Sequence, residues 1–379
     1  MARNKLTGAE KLPAYAVLLA GGRGTRFWPR SRTRTPKQLL NIVGKHTMLR
    51  QTWDRLSPLF PADRMLVVTN SEQADAVRKE LPRIRPEMVL SEPVGRNTAA
   101  AIGLAAIHLA HSHGDALMAV LPADHFIAQA AKYRRIVQAA LKLALEPENL
   151  VVMGIPPSHP ETGFGYIERA AAKDVGAPGV LAYQVRRFTE KPPANIARKY
   201  VASGHYYWNA GMFFWRASTF LECLAGFLPK TRAALAKISA AIGTSGYETA
   251  LRKYYPLLEN ISVDYAVMER ATRKDALGSR YRVQVIPAEV GWSDIGSWNA
   301  VYDLLATRAN KDISAGFSLG IDTSGNFFWS PGKFIAAIGV QNLVVIETKD
   351  ALLICPRDRA QDVGRVVKWL EKKRQRSLL

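Results

Sequence analysis

The segment LLAGGRGTRFWPRSRTRTPKQLL, Leu18 to Leu40, changes character twice along its length. It begins with an apolar run that predicts a buried strand, turns through Gly21, Gly22 and Gly24, and then carries a dense run of Arg and Lys. Glycines in such a turn let backbone N–H groups approach a ligand closely, and successive N–H groups form a nest for an anion. Two interpretations fit the segment: a solvated basic loop, or a cradle for a polyphosphate.

The glycine spacing differs from two familiar nucleotide-binding signatures. A P-loop requires GxxxxGK[ST], which does not occur here. The dinucleotide pattern GxGxxG is broken because Phe27 stands where its third glycine belongs. The segment therefore predicts a phosphate-binding turn of another kind, with Arg23, Arg26 and Lys37 as its cations.

Short apolar runs alternate with helical patterns after this segment. The runs MLVVT (65–69), MVLSE (88–92), ALMAVL (116–121) and LVVMG (150–154) are typical of strands, and an alanine-rich helix is expected at Thr98–His113. Such alternation predicts a doubly wound α/β sheet with helices on both faces. Ligands of such sheets bind beyond the carboxyl ends of the strands, where the glycine turn falls.

The pattern changes at two later points. From Phe164 to Arg216, short aromatic strands around a helix at Ala194–Ser203 predict an inserted antiparallel or mixed region. After Tyr302, evenly spaced short strands predict a small β domain with a closing helix at Ala360–Leu370. The expected fold class is thus α/β with a Rossmann-like mixed sheet and a small C-terminal β domain, divided into residues 1–302 and 303–379.

Composition restricts the classes of partner. The chain has 379 residues, of which 48% are hydrophobic and 22% charged, as is typical of a folded protein. Lys and Arg number 52 against 32 Asp and Glu, which gives a formal net charge of +20. This excess favours anionic partners such as nucleotides, sugar phosphates, nucleic acid or a membrane surface, without choosing among them.

Cysteine spacing and hydropathy argue against several classes of protein. Cys223 and Cys355 form no CxxC pair, which indicates neither a zinc site nor a disulfide framework and favours a reducing cytoplasm. The apolar run Ala14–Ala20 leads straight into the glycine turn and lacks a signal-peptide cleavage site, so we interpret it as a core strand. No segment approaches the roughly 20 apolar residues of a membrane span. Nucleic-acid-binding motifs are not evident either.

Two aspartates are candidates for a metal site. Asp124 follows an apolar strand in AVLPADHFI, and Asp294 lies in VGWSDIGSW. A carboxylate at the end of such a strand is costly unless it is solvated, paired or metal-bound. Mg²⁺ is commonly held by one or two carboxylates together with substrate phosphates. The alternative for either aspartate alone is a helix cap or a turn residue.

Two further segments carry polar residues inside apolar surroundings. In FTEKPP, a strand ends at Glu190 and Lys191 because Pro192 stops it, and a lysine fixed there is a good point charge for a phosphate. The same pattern also fits a surface lysine. In YYWNAGMFFW, Asn209 and Gly211 place an amide and a bare backbone within an apolar run, which fits contact with a sugar hydroxyl.

These segments occur together, and in the same order, in one protein family. The chain resembles the mannose-1-phosphate guanylyltransferases, also called GDP-mannose pyrophosphorylases, of the sugar nucleotidyltransferase family. The tail from Ile313 is similar to the small β-helix-like C-terminal region of short family members, and the chain stops before a cupin-type isomerase domain, which indicates the single-function form. The matching segments span about Val17 to Trp298 and are LAGGRGTRFWPRSRTRTPKQLL, EPVGRNTAAAI, LPADHFI, PETGFGYIER, FTEKP, WNAGMFFW, SVDYAVMER and VGWSDIGSW.

The resemblance implies a role for each matching residue. Asp124 and Asp294 are expected to hold Mg²⁺, and they form the predicted catalytic set with Arg26, Lys37 and Lys191. The residues expected at the sugar phosphate are Gly163, Glu190, Lys191, Asn209 and Asp264. The residues expected at the nucleotide are Leu19, Ala20, Gly21, Gly22, Gly24, Thr25, Arg26, Lys37, Glu92, Arg96, Asn97 and Asp124.

The resemblance also implies the reaction and the partners. GTP and mannose 1-phosphate would give GDP-mannose and pyrophosphate through Mg²⁺-assisted in-line attack of the sugar phosphate on the α-phosphorus. A cytoplasmic homodimer formed through the C-terminal domain is expected, with no nucleic acid or membrane as partner. One alternative is a related pyrophosphorylase for another nucleotide or hexose phosphate. The other is a non-catalytic relative, which would have damaged phosphate and metal positions.

Overall fold

The computed structural model describes residues 12–177, 180–273, 275, 277–306, 308 and 311–379, so the first eleven residues of the predicted N-terminal domain lie outside it. The strands are β1 Ala14–Leu19, β2 Met65–Asn70, β3 Val89–Glu92, β4 Leu117–Pro122, β5 Phe126–Ile127, β6 Asn149–Ile155, β7 Tyr166–Ala177, β8 Val180–Thr189, β9 Tyr206–Arg216, β10 Arg282–Pro287, β11 Trp292–Ser293, β12 Ile313–Ile321, β13 Phe327–Ile338, β14 Leu343–Glu347 and β15 Leu352–Pro356. The helices are α1 Met48–Leu56, α2 Ala74–Glu80, α3 Asn97–His113, α4 Ala130–Leu143, α5 Ala194–Ser203, α6 Ala217–Phe227, α7 Pro229–Ser239, α8 Tyr247–Tyr254, α9 Glu269–Ala271, α10 Trp298–Leu305 and α11 Val363–Lys372.

The main sheet is mixed. Over the described residues it contains nine strands in the order β3-β2-β1-β4-β9-β6-β10-β8-β7. Strand β1 pairs in parallel with β2 and β4, and β10 pairs in parallel with β6. Strand β9 runs antiparallel between β4 and β6. The prediction of a doubly wound α/β fold with a mixed sheet is confirmed.

Strand β9 sits at the centre of this sheet. Phe213 and Trp215 join the apolar core on one face, and Met212 and Phe214 join the core on the other. Because side chains alternate along a strand, a strand buried on both faces has a continuous apolar sequence. The hairpin of β7 and β8 is antiparallel, as expected for the inserted region, and its two strands belong, like β9, to the main sheet.

Helices cover both faces of the sheet. Side chains of α3, α6 and α7 pack with Val17 on one face, and side chains of α1, α2 and α4 pack with Ala16 and Leu18 on the other. Helix α1 begins after Thr47, whose Oγ1 accepts a hydrogen bond from the backbone N of Arg50 at 3.1 Å. The two cores fix the strand ends that carry the functional side chains.

The C-terminal region has a β-helix-like arrangement. Strands β12, β13 and β14 are parallel neighbours, joined by short connections at 322–326 and 339–342. Parallel neighbours elsewhere require a crossover of a dozen or more residues, so these corners mark successive coils. Gly325 and Gly339 turn the corners with positive φ angles of 68° and 65°. A turn at Arg357–Asp362 and helix α11 follow, close to the predicted closing helix.

A third apolar cluster joins the two regions of the chain. Phe27 and Trp28, from the glycine-rich segment, pack in one cluster with Val344 of β14 and with Val363 and Val367 of α11. The indole Nε1 of Trp28 also donates to the backbone oxygen of Leu378 at 2.9 Å. The C-terminal region therefore supports the glycine-rich segment through direct packing.

Candidate active site

A cavity of about 450 Å³ opens beyond the carboxyl ends of β1, β3 and β4. Its wall combines segments that are far apart in the sequence, as expected for a cleft at the strand ends of a doubly wound sheet. The predicted site residues in the wall are Leu19, Gly21, Gly22, Glu92, Asn97, Asp124, Gly163, Glu190, Asn209, Asp264 and Asp294.

The glycine turn closes tightly over Lys37. Gly24 has a φ of 60°, in the left-handed region, and starts the short helical turn Thr25–Phe27. A Cβ atom on Gly24 would overlap the Cβ of Lys37. Both the backbone angle and the close approach therefore require glycine at this position.

Lys37 links the two predicted metal-binding aspartates. Its Nζ donates to Asp124 Oδ2 at 2.8 Å and to the backbone oxygen of Asp294 at 2.5 Å. The lysine side chain is only 8% exposed, so its ammonium group is held in place between them. The structure thus brings the two aspartates to one side of one cleft.

The two carboxyl groups have different electrostatic surroundings. Burial raises the pKa of Asp124, but the opposing effects of Lys37 and His125 are together larger, so the pKa of Asp124 lies below its usual value. Burial raises the pKa of Asp294, against the opposing effect of Lys37 and Arg26. Asp124 also raises the pKa of Asp294, because two nearby like charges disfavour each other. A cation between them would stabilise both ionised forms.

The donor set fits a divalent cation that is shared with a substrate. Asp124 and Asp294 supply hard carboxylate oxygens, which Mg²⁺ prefers. Within the described residues, no group of three or more His, Cys, Asp or Glu could hold a metal ion by itself. A cation held by two aspartates would take its remaining oxygens from water and from a bound ligand, and phosphates provide such oxygens.

The opposite half of the cleft is lined by hydrogen-bonding side chains. Asn209 Nδ2 donates to Asp264 Oδ1 at 2.7 Å, and Asn209 Oδ1 accepts from the backbone N of Gly211 at 2.9 Å. Asp264 begins a π-helical turn, Asp264–Met268, which is a geometry often found at functional sites. These contacts fix the orientation of the amide.

Glu190 lies beside this pair, with a side chain that is only 9% exposed. Its Oε2 finds no hydrogen-bond partner among the described residues, and a Cβ on Gly165 would overlap that oxygen. Burial and then Asp264 raise the pKa of Glu190 to about 7. Burial also raises the pKa of Asp264. Carboxyl groups in this state favour contact with neutral donors such as hydroxyl groups.

Glu92 lies beneath the glycine turn. Its Oε1 accepts a hydrogen bond from Tyr255 Oη at 2.5 Å, and a Cβ on Gly21 would lie 3.1 Å from its Oε2. Burial raises the pKa of Glu92 to about 7, against the effect of the Tyr255 hydrogen bond. The first residues of α3, Asn97 and Thr98, line the cleft nearby, and a helix N-terminus favours an anion.

None of the three predicted catalytic cations lines the wall of the cleft itself. Lys37 contacts Asp124, which does, and Arg26 lines an adjoining cavity of about 470 Å³ that shares Asp294 with the cleft. Lys191 has a φ of 47° and a side chain that is 57% exposed, with its Nζ 3.3 Å from Glu190 Oε1. The other predicted residues outside the wall are Ala20, Gly24, Thr25 and Arg96.

Several wall residues were not predicted. Gln38 is buried, and its Nε2 donates to the backbone oxygen of Ala20 at 2.6 Å. Trp292 Nε1 donates to His125 Nδ1 at 3.1 Å, which leaves the imidazole proton on Nε2, the nitrogen that faces Asp124. Gln38 directly follows Lys37 and His125 directly follows Asp124 in the sequence, and this adjacency is the feature from which both could have been predicted.

The geometry and the motifs agree with the comparison of the whole chain with known families. The nucleotidyl transferase family matches residues 15–311, and the MannoseP isomerase/GMP-like β-helix domain matches residues 316–370. This chain belongs to the nucleotidyl transferase family. The family acts on nucleoside triphosphates and sugar phosphates and generally uses a divalent metal.

Individual members of the family extend the likeness over nearly the whole chain. A mannose-1-phosphate guanylyltransferase of Klebsiella pneumoniae is 40% identical over 95% of this chain and 74% of its own length. One of Escherichia coli is 40% identical over 94% of this chain and 73% of its own length. The crystal structure of mannose-1-phosphate geranyltransferase from Thermus thermophilus superposes with a TM-score of 0.83, at 34% identity, over 95% of this chain and 100% of that one.

These likenesses confirm the family resemblance, the fold class and the β-helix-like C-terminal region that the sequence predicted. Among the described residues, no helix combines the length and the apolar character needed to cross a membrane.

Proposed function

We propose that this chain transfers GMP from GTP to mannose 1-phosphate, giving GDP-mannose and pyrophosphate. The proposal rests on one observation above all: Lys37 joins Asp124 to the backbone of Asp294, and both aspartates line the cleft that Gly21 and Gly22 share with Glu190 and Asn209. The names of the relatives support this pair of substrates.

The glycine-lined half is the proposed nucleotide site. The backbone of Gly21 and Gly22 would contact the phosphates of GTP, and Arg26, beside Asp294, would contact the outer phosphates. Glu92, Arg96 and Asn97 would lie toward the base. The remaining residues proposed for this site are Leu19, Ala20, Gly24, Thr25 and Lys37.

The polar half is the proposed sugar site. Glu190 offers a buried carboxyl oxygen, Asp264 a half-buried carboxyl group and Asn209 a fixed amide to the hydroxyl groups of mannose. Gly163 lines the wall, and Lys191, at the exposed rim, would pair with the sugar phosphate. A ring rich in hydroxyl donors satisfies buried acceptor oxygens that otherwise cost free energy.

The chemistry is a displacement at the α-phosphorus of GTP. An oxygen of mannose 1-phosphate, already ionised near pH 7, attacks that phosphorus, and the bond to the bridging oxygen of the β-phosphate breaks. Pyrophosphate leaves with the electron pair of that bond. A protein nucleophile is not required, and the main contribution of the site is to align two mutually repelling anions, which is worth roughly 7–11 kcal/mol for well-oriented reactants.

Lys37 is the central charged residue of the proposed mechanism. Its position between Asp124 and Asp294 keeps a positive charge beside the place where negative charge develops. Asp124 and Asp294 would hold Mg²⁺, and the bound ion would neutralise phosphate oxygens of GTP.

The decisive experiment is an assay of pyrophosphate release by the purified chain with Mg²⁺. We expect release with GTP and mannose 1-phosphate, and GDP-mannose as the second product by chromatography. ATP in place of GTP, and glucose 1-phosphate in place of mannose 1-phosphate, test base and sugar selectivity. Turnover with another pair and none with GTP and mannose 1-phosphate would assign the chain to a different pyrophosphorylase. No turnover with any pair would favour a non-catalytic relative.

A homodimer formed through the C-terminal domain is the proposed assembly. Phe317, Leu319, Phe334 and Ile338 of β12 and β13 are each at least half exposed. Two copies with a net charge of +20 repel each other, so a self-interface needs uncharged residues such as these. Light scattering should give the mass of a dimer for the wild type and of a monomer for Phe317→Ser with Ile338→Ser. A wild-type monomer would refute the proposal.

We place this reaction in the cytoplasm, where nucleoside triphosphates are available, with no nucleic acid or membrane as partner. The excess positive charge is then surface charge that surrounds a site for anionic substrates. A gel-shift titration with double-stranded DNA and RNA at two salt concentrations tests this. Tight binding that persists at the higher salt concentration would contradict it.

A further inference from the structure

The glycine-rich segment is fastened to the C-terminal segment 357–379 by side-chain hydrogen bonds. Arg23 Nη1 donates to Glu371 Oε1 at 2.7 Å, and Arg26 Nη1 donates to Gln361 Oε1 at 2.6 Å. Arg32 Nη1 donates to the backbone oxygen of Leu378 at 2.8 Å. The three arginines thus depend for their orientation on residues of another region of the chain.

Arg26 differs from the other two arginines in what lies beside it. A Cβ on Gly296 would lie 3.0 Å from Asp294 Oδ2 and 3.5 Å from Arg26 Nη1, so the carboxylate and the guanidinium flank Gly296. Arg26 and Gln361 line the cavity of about 470 Å³ that adjoins the cleft at Asp294. Both Arg26 and Gln361 are exposed, as are Arg23 and Glu371 in their ion pair, so it is the place beside Asp294 that distinguishes Arg26.

Packing around Gln361 fixes the backbone positions of the residues that form the Arg26–Gln361 hydrogen bond. Gly364, in the first turn of α11, lies against the glycine-rich segment, since a Cβ there would be 3.6 Å from Thr25 Oγ1 and 3.9 Å from Arg26 Cγ. Phe27 and Val363 share the apolar cluster that joins the two regions. The backbone on both sides of the Arg26–Gln361 hydrogen bond is therefore fixed, while the long arginine side chain would otherwise sample many rotamers.

We propose that Gln361 is a positioning residue: it holds the guanidinium of Arg26 beside Asp294, where the outer phosphates of the nucleotide would lie. The proposal rests on the proposed function of the cleft. A neutral amide suits this task because it accepts a hydrogen bond from the guanidinium without neutralising its charge, which stays available to a phosphate. The C-terminal region then contributes to nucleotide use as well as to folding.

The test is a double-mutant cycle on Gln361 and Arg26, with pyrophosphate release as the assay. Gln361→Met keeps the length of the side chain and removes the acceptor, and it should lower kcat/KM for GTP about fivefold, while KM for mannose 1-phosphate and the melting temperature stay unchanged. Arg26→Ala should lower kcat/KM for GTP by more. Adding Gln361→Met to Arg26→Ala should have no further effect, because Gln361 acts through Arg26.

Two further variants separate positioning from a purely structural role. Gln361→Glu keeps an acceptor oxygen at the same reach but adds a negative charge beside Arg26, so its kcat/KM for GTP should lie between those of the wild type and of Gln361→Met. Glu371→Gln weakens the neighbouring Arg23 contact in the same C-terminal segment and should change kcat/KM for GTP less than twofold.

Three results would overturn the proposal. The first is an equal loss of kcat/KM for GTP from Gln361→Met whether or not Arg26 is present. The second is a rise in KM for both substrates together with a lower melting temperature, and the third is an unchanged kcat/KM for GTP in Gln361→Met. An inactive wild type would instead refute the proposed function.

Discussion

Asp124 in one half of the cleft and Glu190 in the other hold their carboxyl groups in opposite ways. In the half next to the glycine turn, the buried Lys37 ammonium contacts Asp124 directly and lowers its pKa, whereas burial raises the pKa of Glu92, which has no such contact among the described residues, to about 7. In the other half, Asp264 is half-buried and the side chain of Glu190 is only 9% exposed, and the nearby Lys191 is largely exposed and does not prevent the pKa of Glu190 from rising to about 7. Lys37 keeps the Asp124 carboxylate ionised for a cation, and Glu190 and Asp264 keep acceptor oxygens ready for neutral hydroxyl donors.

Each half can be tested by changing its charge without changing its shape. The largest effect should come from the ionised half. Asp124→Asn and Asp294→Asn should each lower kcat about 1,000-fold, because an amide is a weaker ligand for a divalent ion and removes the charge that holds it. The melting temperature should change by only a few degrees. Asp63→Asn, on the exposed surface, is the matched control. Wild-type rates in both variants, with Mg²⁺ supplied, would contradict the metal assignment.

Lys37→Met removes the cation from the ionised half and should lower kcat about 100-fold. It should also reverse the pH dependence of stability that Asp124 contributes. With Lys37 present, the folded pKa of Asp124 lies below its unfolded value of ~3.9, so the stabilisation is present above that pH and is lost as pH falls through the folded pKa. Without Lys37, burial raises the folded pKa, and stability falls as pH rises through the unfolded value.

Urea unfolding between pH 4 and pH 7.5 measures this difference. Because Asp124 is one-third exposed, we expect a loss of only about 1–3 kcal/mol at pH 7, which shrinks toward pH 4. Lys45→Met, at an exposed lysine, is the control. A loss in Lys37→Met that is independent of pH would show that the contact is structural and not electrostatic.

In the hydroxyl-binding half, Glu190→Gln should raise KM for mannose 1-phosphate about tenfold and leave KM for GTP unchanged, since one acceptor oxygen is lost. The folded pKa of Glu190 is raised, so the folded state holds its proton to higher pH and the wild type loses stability as pH rises from about 4.5 to about 7. Glu190→Gln should remove that decline, and Glu146→Gln, on the surface, should retain it. An equal rise in both KM values would argue against a sugar site.

The smallest effect should come from the exposed rim of the same half. Lys191→Ala should raise KM for mannose 1-phosphate about three- to fivefold, because a solvent-exposed charge pair is weak. The effect should decrease at higher ionic strength, where exposed charges are screened. Lys199→Ala, at an exposed position on α5, should have no effect. An unchanged KM for the sugar phosphate in Lys191→Ala would remove this residue from the site.

The sequence predicted the elements whose signals are local. The apolar run before Gly21 became β1, and the helix at Ala194–Ser203 has the bounds that were predicted. Asp124 was identified because it follows an apolar strand, and Asp294 as the second carboxylate. That the two lie near each other was expected from the family resemblance, whereas their link through Lys37 was not predicted and depends on long-range packing.

The remaining features depend on contacts between distant parts of the chain. The hydrogen bond of Glu92 with Tyr255, and that of Asn209 with Asp264, join residues that are far apart in the sequence, so no helix or strand periodicity predicts them. The central place of β9 is a property of the sheet order, which an apolar run does not specify. Gln361 lies in a C-terminal turn with an ordinary polar sequence, so its contact with Arg26 had no sequence signal.

The apolar cluster formed by Phe27 and Trp28 with β14 and α11 has a consequence for how the molecule unfolds. Because each region buries part of the other's interior, neither has a complete core when it is detached. Heating should therefore melt the catalytic and C-terminal regions in one cooperative transition, and calorimetry should record a single peak whose van't Hoff and calorimetric enthalpies agree.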